Sequence, residues 1–181
     1  MKDKLSIIKI GGNVVNSPTE MDLFLKDFAA LEGYKILVHG GGKIASEVSA
    51  SMGVEPKMTG GRRITDDQTL DVVTMVYAGL LNKKIVSKLQ GFDCNAIGLS
   101  GADGNSIRAH KRVVKDLDYG FAGDVDAVSS GMIESLLRSR LSPVFCAITH
   151  DKKGQLLNTN ADTIASELAK GLSAEFDLEL L

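Results

Sequence analysis

Apolar positions along this chain follow two different spacings. Short, nearly continuous apolar runs end in glycine or small polar residues, which is typical of strands buried inside a sheet. Between them, apolar residues recur every three to four positions, which is typical of helices. The pattern predicts strands at residues 5–10, 35–38, 95–99, 143–148 and from 176, and helices at 21–31, 43–52, 66–90, 131–140 and 162–171. Strands that alternate with helices predict an α/β fold with a mostly parallel sheet.

Three segments depart from that simple alternation. Residues 106–114 and 121–128 favour a hairpin pair, whereas residues 57–64 favour irregular structure. The helix at 66–90 is apolar nearly all round between residues 72 and 81, so it should be covered on two sides. One side would face the core of the chain and the other a second subunit, which predicts a homodimer. The alternative is a helix that lies wholly inside one core.

Composition narrows the class of protein. A net charge of −2 on 181 residues argues against a general nucleic-acid binder, because there is no basic excess to neutralise phosphates. No apolar run approaches the ~18 residues that a membrane span needs. Cys94 and Cys146 show no metal-ligand or CxxC spacing, and a strand that begins near residue 5 leaves no room for a signal peptide. We therefore expect a cytoplasmic protein with two reduced thiols and no metal site of its own.

Candidate chemistry lies where the predicted strands end. Lys9 stands in an apolar strand that opens into Gly11 and Gly12, and the strand at 35–38 opens into residues 39–42. Ligands of open parallel sheets bind outside the carboxyl ends of the strands, and bare N–H groups at such turns bind anions. Neither GxxxxGK[ST] nor GxGxxG is present. One lysine, an aspartate, amides and many N–H groups around one crevice suit phosphoryl transfer.

Seven segments carry a resemblance to a known family. Taken in order along the whole chain, they are Ile8-Lys9-Ile10-Gly11-Gly12, Val38-His39-Gly40-Gly41-Gly42, Gly61-Arg62-Arg63-Ile64-Thr65, Ala78-Gly79-Leu80-Leu81-Asn82-Lys83, Gly98-Leu99-Ser100-Gly101-Ala102-Asp103-Gly104, Gly120-Phe121-Ala122-Gly123-Asp124-Val125 and Asn158-Thr159-Asn160-Ala161-Asp162. As a set they resemble the amino-acid kinase family, in its N-acetylglutamate kinase branch. The resemblance implies a three-layer αβα sandwich around a mainly parallel central sheet.

The resemblance also implies residues for phosphoryl transfer. Lys9 would stabilise the transferring phosphoryl group, and Gly11 and Gly12 would offer N–H groups to the phosphates of ATP, which brings Mg²⁺ with it. Asp162 would orient Lys9 and a second catalytic lysine, which in the family lies outside these 181 residues. Two plainer roles remain open at this stage: Lys9 as a lysine that snorkels from the strand end, and Asp162 as the N-cap of the helix that follows.

Four further residues would hold the substrate if the resemblance is right. Gly41 and Gly42 would bind the region of the γ-carboxylate, Arg63 would clamp the α-carboxylate, and Asn158 would bind the amino-acid end. A guanidinium fork is well shaped for a carboxylate. Arg63 could otherwise be a solvated loop charge, and His39 is expected to be a structural hydrogen-bonding group rather than a general base.

The implied reaction is the ATP-dependent phosphorylation of the γ-carboxylate of N-acetyl-L-glutamate to an acyl phosphate, on the arginine pathway. Two alternatives stay open: an N-succinylglutamate kinase, and an inactive fragment that only binds ligand or dimerises. We expect residues 1–176 to form a lobe that binds the amino-acid substrate. Residues 177–181 would begin an ATP-binding lobe, most of which the family places outside this sequence.

Overall fold

The computed structural model describes residues 2–181, and its centre is a five-stranded sheet. Every neighbouring pair in the sheet is parallel, and the strand order is β11-β1-β2-β8-β5. These strands are β1 (Asp3–Ile10), β2 (Tyr34–His39), β5 (Ala96–Leu99), β8 (Ser142–Cys146) and β11 (Phe176–Leu180). The prediction of an α/β fold with a parallel sheet is therefore confirmed, because each buried apolar run became a strand.

Helices cover both faces of the sheet. On one face α7 (Ala161–Leu172) packs against β1, β2 and β11, while α6 (Ser130–Arg138) packs against β8 and α7. On the other face α5 (Asn82–Gly91) packs against β5, β8 and α2 (Pro18–Ala30). The result is the expected αβα sandwich. The helices are α1 (Gly12–Asn16), α2 (Pro18–Ala30), α3 (Gly42–Ser51), α4 (Asp67–Thr74), α5 (Asn82–Gly91), α6 (Ser130–Arg138) and α7 (Ala161–Leu172), with a 3₁₀ turn at Asp103–Asn105.

Four further strands close into a small barrel beside the sheet. They are β6 (Ile107–Lys111), β7 (Ala122–Val128), β9 (Ile148–His150) and β10 (Leu156–Thr159), arranged in the order β10-β7-β6-β9. The antiparallel pair β6–β7 confirms the predicted hairpin. The predicted strand at 143–148 divides at Ala147, so that its end joins the barrel rather than the sheet.

Two segments differ from the sequence-based expectation. The region predicted to be irregular contains a hairpin of β3 (Lys57–Thr59) and β4 (Arg62–Ile64), joined by Gly60 and Gly61, which both have positive φ. The predicted long helix exists, but Met75–Leu81 between α4 and α5 is π-helical. A π-helical insertion widens the helix locally and often marks a functional site. Here it turns Tyr77 and Leu81 towards the turn that follows β2.

The core is aliphatic, as the absence of tryptophan and the few aromatic residues predict. Its three largest fully buried side chains are Phe28, Phe145 and Phe176, and leucine, isoleucine and valine supply most of the rest. In residues 2–181, no helix has the length and apolar character needed to cross a membrane. The strand at Phe176–Leu180 lies at the edge of the sheet against β1, and the assignment of residues 177–181 to a second lobe stays a prediction.

Candidate active site

The carboxyl ends of β1 and β2, the β3–β4 hairpin and the start of α7 surround one cleft. Its volume is about 230 Å³. Seven of the eight residues predicted to form a site line it, and Gly11, the eighth, is the N-cap of α1 directly beside it. The seven are Lys9, Gly12, Gly41, Gly42, Arg63, Asn158 and Asp162.

Lys9 meets a carboxylate inside this cleft. Its Nζ lies 2.9 Å from Oδ1 of Asp162, and its side chain is only 28% exposed. The N-cap of α7 is Asn160, whose Oδ1 accepts a hydrogen bond of 3.0 Å from the Thr163 amide. Capping by Asn160 rules out the plainer role for Asp162, because its carboxylate lies in the first helical turn and is directed at Lys9. A partner of opposite charge also explains how a lysine in an apolar strand is tolerated.

Arg63 is buried on β4 and connects the hairpin to α3. Its Nη2 donates to the Gly42 carbonyl at 2.9 Å and to Ser46 Oγ at 2.7 Å. Its Nη1 is buried and has no acceptor among the described residues. The plainer alternative, a solvated loop charge, is therefore excluded, because Arg63 is buried. An unpaired buried donor is unfavourable, so an acceptor placed beside Nη1 at the edge of the cleft would remove that cost.

Asn158 stands at the end of β10 and is held by Thr65. The Asn158 side-chain amide donates to Thr65 Oγ1 at 3.1 Å, and the buried Thr65 hydroxyl donates in turn to the Arg63 carbonyl at 3.0 Å. Two predicted binding residues from distant parts of the chain are thus fixed relative to each other. Thr65 is a positioning residue that sequence reasoning did not single out, although it ends one of the matching segments.

The turn after β2 packs against the π-helical segment. Gly41 has a φ of +147°, and a Cβ there would lie 2.2 Å from Leu81 Cδ1 and 3.2 Å from a Tyr77 ring carbon. Only glycine fits both the backbone conformation and the space. Gly11 and Gly12 differ, because a Cβ at either position would meet nothing closer than 3.9 Å. The space beside them leaves room for a ligand to approach the backbone.

A buried polar network lies beneath the same turn. The His39 ring has no exposed surface, and its Nδ1 is 2.9 Å from the Gly40 carbonyl oxygen. Asn82 on α5 brings its Nδ2 to 3.1 Å from His39 Nε2 and donates to the Val144 carbonyl at 2.9 Å. Burial lowers the pKa of His39 to about 4, so the ring is neutral near pH 7. This agrees with the expectation that His39 is a structural hydrogen-bonding group.

Other ionisable groups near the cleft do not suit proton transfer at neutral pH. Burial raises the pKa of the Tyr77 hydroxyl, although the nearby Arg63 cation opposes that effect. Burial also raises the pKa of the Cys146 thiol to about 12. Within residues 2–181, no group of three or more His, Cys, Asp or Glu side chains could hold a metal ion. The arrangement therefore offers fixed cations and N–H donors, which suit charge stabilisation rather than general base catalysis.

Comparison with known proteins agrees with this geometry. The sequence pattern described as the amino acid kinase family matches residues 4–177. The chain belongs to the amino acid kinase family. The acetylglutamate kinase of Phocaeicola vulgatus is 56% identical over 181 residues, which are all of this chain and 70% of that protein. The acetylglutamate kinase of Bacteroides fragilis is 54% identical over the same 181 residues and 69% of its own length.

Comparison with solved structures identifies the same fold. The crystal structure of smu.665 from Streptococcus mutans superposes with a TM-score of 0.78 at 25% identity, over 93% of this chain and 69% of that one. For a member of the amino acid kinase family, the expected co-substrate is ATP. Sequence reasoning also missed Ser46 and Tyr77 at this site, since nothing in their spacing distinguishes them from ordinary helix residues.

Proposed function

We propose that this chain provides the site for ATP-dependent phosphorylation of the γ-carboxylate of N-acetyl-L-glutamate, which yields an acyl phosphate for arginine biosynthesis. The single observation that carries the proposal is the buried fork of Arg63, whose Nη1 lacks an acceptor, on the same cleft as the Lys9–Asp162 pair. The names of the similar proteins support the acetyl group and do not favour the N-succinyl alternative.

The substrate would be held at two places. The unpaired Nη1 of Arg63 would donate a hydrogen bond to one oxygen of the α-carboxylate, and the Asn158 amide, anchored on Thr65, would bind the amino-acid end. A charge-assisted hydrogen bond of this kind is worth about 1.5–3 kcal/mol. The γ-carboxylate then lies at the N-terminus of α3, where the N–H groups of Gly41 and Gly42 favour negative charge.

Phosphoryl transfer would occur at the Lys9 end of the cleft. The γ-carboxylate attacks the terminal phosphorus of ATP directly, so no covalent enzyme intermediate forms. Lys9 neutralises charge that develops on the transferring group, while Asp162 orients Lys9 and a second lysine expected outside these residues. Gly11 and Gly12 would offer N–H groups to the ATP phosphates, and Mg²⁺ would be carried by those phosphates.

We also propose that the protein is cytoplasmic and forms a homodimer, and the long helical segment supports the second of these. Met75 is 50% exposed and Leu80 is 41% exposed, although the neighbouring apolar side chains Val76, Tyr77 and Leu81 are buried. A second copy packed on this face would cover them, as the all-round apolar pattern predicts. The proposed assembly therefore uses α4, the π-helical segment and α5.

Calorimetric titration of the 181-residue chain with N-acetyl-L-glutamate tests the substrate site. The Arg63→Lys variant keeps the charge but loses the fork, so its affinity should fall at least about tenfold. Arg108→Lys is the matched control, because Arg108 is exposed on β6 and lies outside the cleft. Its affinity should equal that of the unchanged chain.

Three outcomes separate the alternatives. If the chain binds N-succinyl-L-glutamate more tightly than N-acetyl-L-glutamate, the N-succinyl compound is the substrate. Amino-acid binding without any acyl phosphate, assayed in the presence of Mg-ATP by trapping with hydroxylamine, would mean that these residues form only a binding module. Equal losses in Arg63→Lys and Arg108→Lys would exclude Arg63 as the carboxylate clamp.

A further inference from the structure

The side chain of His39 contacts the peptide between Gly40 and Gly41 from the buried side of the turn. His39 Nδ1 lies 2.9 Å from the Gly40 carbonyl oxygen, and the ring is completely buried under the turn. In a trans peptide the C=O and N–H bonds point in opposite directions, and residues 2–181 contain no cis peptide. Because the ring binds the carbonyl on the buried side, the Gly41 N–H points away from the ring.

Asn82 determines which ring nitrogen carries the proton. The atom 2.9 Å from the Val144 carbonyl must be the amide nitrogen of Asn82, since a carbonyl accepts only from a donor. The same nitrogen faces His39 Nε2 at 3.1 Å, so Nε2 is the acceptor and Nδ1 carries the hydrogen. Lys83 Nζ donates to the Asn82 oxygen at 3.1 Å, which completes the orientation of the amide.

We propose that His39 and Asn82 are positioning residues that hold the Gly41 N–H towards the cleft, where it meets the carboxylate that becomes phosphorylated. The inference rests on the proposed function for the identity of that carboxylate. Gly41 lines the cleft, and its amide has no acceptor among the described residues. The ring therefore acts through the backbone and touches no substrate atom.

His39 and Asn82 are also tightly packed. Asn82 is 1% exposed, and a Cβ on Gly98 would lie 1.9 Å from its side-chain oxygen. A neutral ring, kept so by burial, can donate from one nitrogen and accept at the other, whereas an imidazolium would lose the contact with Asn82. Pre-organising a donor in this way removes the need to rotate a peptide when the ligand arrives.

Two substitutions of His39 separate positioning from simple packing. In His39→Asn, the side-chain amide nitrogen overlies Nδ1 and can still donate to the Gly40 carbonyl. In His39→Gln, the side-chain oxygen overlies Nε2 and can still accept from Asn82, but the Gly40 contact is lost. Both variants leave a smaller side chain in the core, so a purely structural role would weaken both in proportion to their stability.

Titration with N-acetyl-L-glutamate and NMR of the ligand-free chain supply the measurements. We expect affinity within about threefold of the unchanged chain for His39→Asn and a loss of at least about tenfold for His39→Gln. The Gly41 N–H residual dipolar coupling should stay unchanged in His39→Asn and move in His39→Gln. Long-range ¹H–¹⁵N correlation should show hydrogen on Nδ1, and Asn82→Ala should remove that preference.

The readouts distinguish this inference from the proposed function. If the unchanged chain binds no N-acetyl-L-glutamate, the proposed substrate fails, and the Gly41 coupling in the two variants still decides the positioning role. A coupling that does not move in His39→Gln would overturn the inference, as would equal losses of affinity in both variants.

Discussion

The buried His39 should make the stability of this fold depend on pH between neutrality and about pH 4. Its pKa falls from an ordinary 6.5 to about 4 in the folded chain, because burial opposes the charged ring. The positive charge of Lys83 also lowers it, and the bond to Gly40 opposes both effects. In the unfolded chain the ring regains its ordinary pKa, so the unfolded state binds the proton first as pH falls.

The sign and size of this change in stability follow from the linkage between proton binding and folding. The pKa of His39 is lower in the folded chain than in the unfolded chain. Such a group does not affect the free energy of unfolding above its unfolded pKa, and it lowers that free energy as the pH falls from the unfolded pKa to the folded one. One pKa unit corresponds to about 1.4 kcal/mol, so His39 should remove about 2 kcal/mol between about pH 7.5 and about pH 5. The loss should reach about 3 kcal/mol near pH 4.

Urea unfolding followed by circular dichroism at a series of pH values measures this loss. Carboxyl groups with lowered pKa, such as Asp66, Asp118 and Asp151, lose their contribution only as pH falls further. The contributions of these carboxyl groups also cancel when the unchanged chain is compared with His39→Gln, because both proteins contain them. The variant has no titratable group at position 39. The difference between the two curves should fall by about 2 kcal/mol by pH 5. Parallel curves over that range would refute the reasoning, because they would mean that His39 does not titrate differently in the folded state.

Three further predictions concern the turn, the chemistry and the assembly. Gly41→Ala should destabilise the fold by about 2–4 kcal/mol in urea unfolding, because the new Cβ clashes with Leu81 at positive φ, whereas Gly12→Ala should change stability by less than about 1 kcal/mol. In a protein that also carries the expected ATP-binding lobe, Lys9→Ala should slow acyl-phosphate formation at least about 100-fold in the hydroxylamine assay while the fold stays intact, and near-normal turnover would contradict the proposed role. Leu80→Lys should give a monomer in analytical ultracentrifugation, whereas the same change at the exposed Leu23 should leave a dimer, and two dimers would exclude this helix face as the interface.

Much of this fold could be predicted because each local signal agrees with the global arrangement. Continuous apolar runs such as residues 5–10 can be buried on both faces only in a parallel sheet, and the carboxyl ends of parallel strands meet at one edge. That rule places Lys9 and Asp162 at the same edge from the sequence alone, although 153 positions separate them along the chain. The β3–β4 hairpin was missed, yet two adjacent glycines at Gly60 and Gly61 are a strong signal for a tight hairpin turn.

Other features had no local signal. The π-helical segment has an ordinary apolar helical sequence, and only the packing against Gly41 distinguishes it. The bond from Arg63 to Ser46 joins residues on separate elements, so it depends on how the hairpin docks on α3. The contact between His39 and Asn82 is likewise a tertiary one, since 43 positions separate the two residues. Sequence patterns find the elements and the edge at which a site forms, whereas the positioning contacts come from how those elements pack.

The close approach of Gly98 to Asn82 restricts how this protein can change over evolutionary time. A Cβ at position 98 would lie 1.9 Å from the Asn82 oxygen and 2.8 Å from Lys83 Nζ, so a larger residue cannot enter while Asn82 remains in place. A shorter residue at position 82 would have to come first, and it would leave His39 and the Val144 carbonyl unpaired. The two positions should therefore substitute together or stay fixed in related sequences, although one belongs to β5 and the other to α5.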